Sequence, residues 1–175
     1  MKRILLALVI FLPMLSASAC AQGGYNAYVV SSDWRSAPII DSETGQAVGQ
    51  AYHGFAVLLE DVRDQKAYFY INVSDPSVPD VTNQFELYIP IDYMEKADVE
   101  SQNVPAIISL DTITLNPMAG IHSFKEGVLE VIARFYDEIG PMRFIQNVEN
   151  GYMFLLGMNL VWVGEQEVKL IEYDD

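Results

Sequence analysis

The chain has 175 residues, 51 % of them hydrophobic, with 24 acidic side chains against 10 Lys and Arg and a formal charge of −14. That apolar content, with ten Tyr and eight Phe, excludes a disordered chain and suits one core of a single sheet-rich domain. The charge excludes a surface built for nucleic acid or anionic lipid and fits cations, polyamines or a basic protein partner.

The first twenty residues carry the strongest signal. Lys2 and Arg3 precede an apolar run over 4–15, and Ser16, Ala17, Ser18 and Ala19 lead to Cys20. This is the layout of a secretory signal. Twelve apolar residues interrupted by Pro13 are too few for a span, which needs about 20. Residues 1–19 are therefore read as a signal, 20–24 as a short tether and 25–175 as one globular domain. Cleavage takes Lys2 and Arg3 and no acid, leaving 8 cations against 24 acids, a charge of −16.

Two cleavage readings follow. The stretch Ala17-Ser18-Ala19-Cys20 resembles the lipobox of bacterial lipoproteins, departing from it at Ala17, where the family usually has Leu. The resemblance implies a thioether-linked diacylglycerol on Cys20, which becomes the mature N-terminus and anchors the protein in the envelope. In a Gram-negative source, Ala21 in place of an Asp after the cysteine further implies the outer membrane. The other reading is ordinary cleavage after Ala19 or Ala21, giving a free periplasmic or secreted protein. Cys20 is the only cysteine, so it makes no internal disulfide, and the domain must hold by its core alone.

In chain order, 25–31 reads as a strand and 32–49 as a loop around the turn 41–45. Alternation over 55–60 and the Tyr-, Phe- and Ile-rich run 67–73, joined by a polar turn at 63–66, predict a β-hairpin. Pro76 and Pro79 mark 74–83 as a loop, 84–91 alternates as a strand, 93–99 fits a short helix, and 106–115 is a β-branched strand. Phe124, Val128, Val131, Ile132, Phe135 and Ile139 recur at helical spacing behind Ser123 and Glu126, a capping box, and Gly140-Pro141 follows. This predicts an amphipathic helix over 124–139. Asn150-Gly151 predicts a hairpin turn between 142–148 and 152–156, and a second pair reads as 160–163 and 167–173. The expected fold is α+β, with eight or nine mainly antiparallel strands packed on one helix; a barrel-like sheet with one helix is the alternative.

Chemical motifs are sparse. His53 and His122 are the only histidines and lie 69 positions apart, so no metal-ligand spacing exists and no metal or cofactor is expected. Ser123 follows His122 without a nucleophile elbow, so no catalytic residue is assigned. Asp41 to Gly45 resembles the start of a calcium loop but has Tyr52 at the twelfth position, where a Glu is required; it reads as a surface turn. The acidic groups at 60–64 and 92–100 read as solvated faces.

Tyr68, Tyr70, Tyr88 and Tyr93 concentrate in mid-chain, Tyr68 and Tyr70 on one strand face, and exposed tyrosines make rigid contact area. With His122, placed beside the expected helix N-terminus where an anion would be favoured, they are the candidate binding residues. The leading expectation is a non-enzymatic envelope lipoprotein that binds an envelope protein or small ligand, held to the membrane by its N-terminal lipid. Two other classes stay open: an acidic inhibitor or immunity-type protein against a basic enzyme, and a small hydrolase using His122 with carboxylates.

Overall fold

A computed structural model describes residues 24–75, 78–100, 109, 111–125 and 128–172. Among these the chain forms β1 (Gly24–Val30), β2 (Ala37–Asp41), β3 (Ala47–Ala51), β4 (Ala56–Leu58), β5 (Val62–Arg63), β6 (Lys66–Asp75), β7 (Val78–Pro90) and β8 (Met94–Glu100). β9 (Thr112–Leu115), β10 (Ile121–Lys125), β11 (Val128–Phe135), β12 (Ile139–Arg143), β13 (Gln146–Val148), β14 (Gly151–Leu156), β15 (Asn159–Gly164) and β16 (Val168–Ile171) follow. Single 3-10 turns at Leu59–Asp61, Ile91–Tyr93 and Glu165–Glu167 are the only helical segments among the described residues. The mainly antiparallel sheet holds; the packed helix does not.

Ten strands join in the order β13-β14-β15-β10-β11-β3-β2-β7-β6-β5, flanked by two three-stranded sheets, β4-β1-β8 and β12-β9-β16. The long sheet curls until strands near its two ends touch. Gly157, in the β14–β15 turn, sits against Phe69 of β6, where an added Cβ would come 3.2 Å from the Phe69 Cβ. Its first and last strands are not hydrogen-bonded to each other, so no closed barrel forms among the described residues. Val30, Ile39, Phe55, Phe69, Ile89, Ile113, Ile121, Phe135, Phe154 and Val161 meet inside the curl and make one core.

The expected helix over 124–139 is replaced by the end of β10, all of β11 and the start of β12. Ser123 is a strand residue paired with Glu130, and Glu126 lies outside the described residues. The reason is pairing with other strands on both edges. β11 is hydrogen-bonded to β10 on one edge and β3 on the other, and neighbouring Ile132 and Ala133 are both buried. Val128, part of the apparent helical stripe, is 56 % exposed, so that spacing does not mark one buried face. β-Branched Val128, Val131 and Ile132 also fit a strand better than a helix.

Other boundaries move for similar long-range reasons. Residues 94–99 lie in β8, which is held to β1 through all seven of its residues, rather than in a short helix, and Tyr93 ends the 3-10 turn before it. β4 pairs with β1, and β16 with β9, so neither makes the local hairpin expected of it. β6 and β7 run on as strands through most of the expected loop 74–83. The loop 32–49 contains β2 and β3. At 150–151 the hairpin is present, but the loop is Glu149 and Asn150, with Asn150 at φ +61 and Val148 paired to Gly151. Gly151 is needed for close approach: a Cβ there would lie 2.3 Å from the Val163 carbonyl oxygen.

Asn159 joins the sheets. Its buried Oδ1 accepts the Ala56 N–H at 3.0 Å, and its Nδ2 donates to the carbonyls of Ala56 and Leu156, each at 2.9 Å. The side-chain amide thus gives the outer edge of β4 the donor and acceptor that another strand would supply. Asn159→Leu strands buried backbone groups of Ala56 and should destabilise by roughly 3 kcal/mol, measured by urea unfolding; a change under about 0.5 kcal/mol would show that the tie is dispensable.

Candidate functional site

The two-residue loop Asp64-Gln65, with φ values of +50 and +59, reverses the chain between β5 and β6 and sets Arg63 opposite Lys66. Both central residues are left-handed, the geometry of a tight hairpin turn. On β6 and β7, Tyr68 lies directly opposite Tyr88 and Tyr70 opposite Glu86, so all four share one face. The Tyr68 and Tyr88 rings are 5.6 Å apart at 47°. The Arg63 guanidinium sits 3.8 Å from the Tyr68 ring centre and the Lys66 Nζ 4.4 Å from that of Tyr88. Each cation therefore covers the electron-rich face of a tyrosine.

Glu86 closes the cluster by accepting the Tyr70 hydroxyl at 2.8 Å and an ion-paired hydrogen bond from Arg63. The Tyr70 hydroxyl first, then Arg63 and Ser42, hold the Glu86 carboxyl below its ordinary range. The same bond raises the Tyr70 phenol. Tyr68 is 8 % exposed, a covered residue, while Tyr70 is 39 % exposed. The structure thus brings Tyr68, Tyr70 and Tyr88 together and makes Tyr70 the accessible one. Tyr93 packs elsewhere, on Trp34 with ring centres 4.9 Å apart. Arg63, Lys66 and Glu86 were not among the sequence candidates; the signal that finds Glu86 is strand register, which depends on how β6 pairs.

His122 lies on β10 and faces Trp162 of β15, ring centres 5.3 Å apart, edge to face. No helix follows it, so the anion site expected from a helix N-terminus is absent. Side chains from three elements converge above Gly120. A Cβ there would lie 2.9 Å from His122 Cε1 and 3.5 Å from both Arg134 Nη2 and Glu167 Oε1. Glu167 accepts the Gly120 N–H at 2.9 Å, and Arg134 donates to the Met118 carbonyl. The His122 Nδ1 is buried with no hydrogen-bond partner. Spacing on the strand sends Ser123 to the other face, so the His122-Ser123 pair is not a nucleophile and its base.

His53 Nδ1 is 3.1 Å from the Val30 carbonyl, which explains it structurally. Asp41 caps its own turn, its Oδ1 accepting the N–H groups of Glu43 and Thr44, and the Thr44 bond above all lowers its carboxyl. Burial, then the neighbouring Glu60, raises Asp61. Among the described residues no group of three His, Cys, Asp or Glu could hold a metal ion, and no helix is long and apolar enough to cross a membrane. Cys20 lies outside the described residues. The chain matches no protein-family model, no curated protein and no solved structure.

Tyr68 and Tyr70 separate packing from contact. Tyr68→Ser should cost about 3 kcal/mol as a buried ring is lost, and Tyr70→Ser under about 1 kcal/mol, both by chemical denaturation; equal losses would place Tyr70 in the core. Glu86 gives a pH signature. A carboxyl with a depressed folded pKa adds stability above its unfolded value, about 4.3, that disappears as pH falls through the folded value. The gap in melting temperature between native protein and Glu86→Gln should be largest near pH 7, shrink as pH falls below about 4.3 and close only once pH passes below the depressed folded value.

Proposed function

We propose that the protein is an exported envelope lipoprotein, anchored through Cys20, whose acidic β domain acts as a non-enzymatic interaction module. Its contact surface is the β5–β7 face. One observation carries this reading: in a chain with many more acids than cations, Arg63 and Lys66 are gathered onto two tyrosines beside an exposed Tyr70 that is already hydrogen-bonded in place. Tyr and Arg dominate binding energy at interfaces, and side chains ordered beforehand lose less entropy on association. The partner is an envelope protein or small ligand rather than a nucleic acid, which the net charge repels.

Mass spectrometry of protein purified from its host's membranes tests both halves. The expected result is a polypeptide beginning at Cys20 plus a diacylglycerol, with a non-covalent component in the native spectrum. Arg63→Ala with Tyr70→Ser should reduce that component at least tenfold with little change in melting temperature. A bare polypeptide in the soluble fraction would reject the anchor, and a component indifferent to both substitutions would reject the face. Should the anchor fail, an acidic inhibitor of a basic enzyme is the reading left, marked by association that slows steeply as salt rises.

A further inference from the structure

Three tyrosines carry a cation supplied by the chain itself: Arg63 over Tyr68, Lys66 over Tyr88, and Lys96 with its Nζ 5.8 Å from the Tyr28 ring centre. Trp34 carries none among the described residues, although an indole is the best cation acceptor of the aromatic side chains. It stands in the turn between β1 and β2 and is 47 % exposed. Tyr93, at the end of the 3-10 turn before β8, packs against it with ring centres 4.9 Å apart at 55°. The backbone fixes the pair. The Ser31 N–H donates to the Tyr93 carbonyl at 3.0 Å, the Trp34 N–H to the Ser31 carbonyl at 3.3 Å, and the Asp33 N–H to the Ser31 Oγ at 3.3 Å. Groups placed in advance lose less entropy on association.

We propose that Trp34 and Tyr93 receive a cationic side chain, arginine in preference to lysine, from a basic segment of a protein partner. The charges beside the pair select that occupant. Asp33 directly precedes Trp34 and Asp92 directly precedes Tyr93, so each acid's Cα lies about 3.8 Å from the Cα that carries a ring. Both acids are exposed, and neither is ion-paired among the described residues. Arg35, the one cation of this turn, is neither stacked on Trp34 nor paired with either acid. A chain with 24 acids against 10 cations attracts a basic partner as a whole, and the uncovered indole gives that attraction a fixed place to act. A guanidinium stacks flat on an aromatic ring and keeps its in-plane N–H groups for carboxylates, whereas an ammonium offers a point charge. An anionic partner would instead meet Asp33 and Asp92 as like charges. Neither Cys20 nor the β5–β7 face takes part.

The test measures, by fluorescence anisotropy at physiological salt, how the purified protein binds a labelled peptide of Arg-Gly-Gly repeats. Trp34→Leu keeps an apolar side chain and the net charge but removes the π face, and should weaken binding about fivefold; Trp34→Phe should weaken it about twofold. Asp33→Asn with Asp92→Asn should cost about fivefold. Asp137→Asn with Glu149→Gln, which removes the same charge from exposed positions in other turns, should cost less than about twofold. The peptide should bind at least about threefold more tightly than its Lys-Gly-Gly counterpart. Equal affinities of native protein and Trp34→Leu would overturn the site. Equal losses in the two charge-matched double variants would do the same, because binding would then follow net charge alone. A lysine peptide that binds as tightly would overturn the guanidinium assignment. Displacement of the peptide by stoichiometric spermine would give the rings to a small polyamine and overturn the protein partner. Unchanged far-ultraviolet circular dichroism and melting temperature identify the variants as folded.

Discussion

Three hydrogen bonds from one side chain hold this architecture together. β4 is three residues long and paired through its backbone only to β1, so its other edge would leave the Ala56 N–H and C=O buried without partners. Asn159 satisfies both, and its remaining donor closes the turn of its own hairpin at Leu156. Buried backbone groups without partners are costly, and a side-chain amide offers an acceptor and two donors together. The link spans 103 residues in sequence and joins the first small sheet to the second half of the chain. The β14–β15 hairpin that Asn159 secures is also the one that rests on Phe69, where the ten-stranded sheet curls back on itself.

Glycine serves that close packing at specific points. Phe135 of β11 is paired with Gly49 of β3, and a Cβ on Gly49 would lie 2.5 Å from the Arg134 carbonyl oxygen. Trp162 lies over Gly151, its Nε1 2.5 Å from where a Cβ would stand, and so replaces on one strand the side-chain surface that its neighbour lacks. The His122 ring then packs on the other side of that indole. His122, Arg134 and Glu167 converge above Gly120, and the bonds of Arg134 to Met118 and of Glu167 to Gly120 tie the β9–β10 connection to β11 and to the turn before β16.

The β5–β7 face shows how an acidic protein keeps an ordered cationic patch. Cations stacked on aromatic rings gain from the ring quadrupole where plain surface ion pairs gain little. Glu86 takes part of the Arg63 charge and fixes the Tyr70 hydroxyl, so the geometry is set before any contact with a partner. Shared anchoring of this kind couples the two tyrosine rows to the tight turn at Asp64-Gln65: a change in that turn would swing Arg63 away from both Tyr68 and Glu86.

Local chemistry made part of this molecule legible. The alternation of 84–91, the Tyr-rich strand at 67–73, the hairpin signalled by Asn150-Gly151 and the Asp41 turn all rest on neighbours a few residues away, and the folded chain keeps them. Tyr68 and Tyr70 were recognisable as one face because period two is a property of a single strand. The apolar spacing over 124–139 suggests a helix, yet the segment is a strand because β10 and β3 pair with the two edges of β11, and that pairing is not visible in local spacing. The clustering of Arg63, Lys66 and Glu86 with the tyrosines required the register of β6 on β7, and the partners of β4 and β16 are remote strands. Charge, β-richness and the local turns are written in neighbouring residues, because short-range propensity and hydrophobicity encode them. Strand order, the pairing of β11, the Asn159 junction and the assembled tyrosine face come only with the tertiary structure, because each depends on pairing between segments that no local pattern specifies.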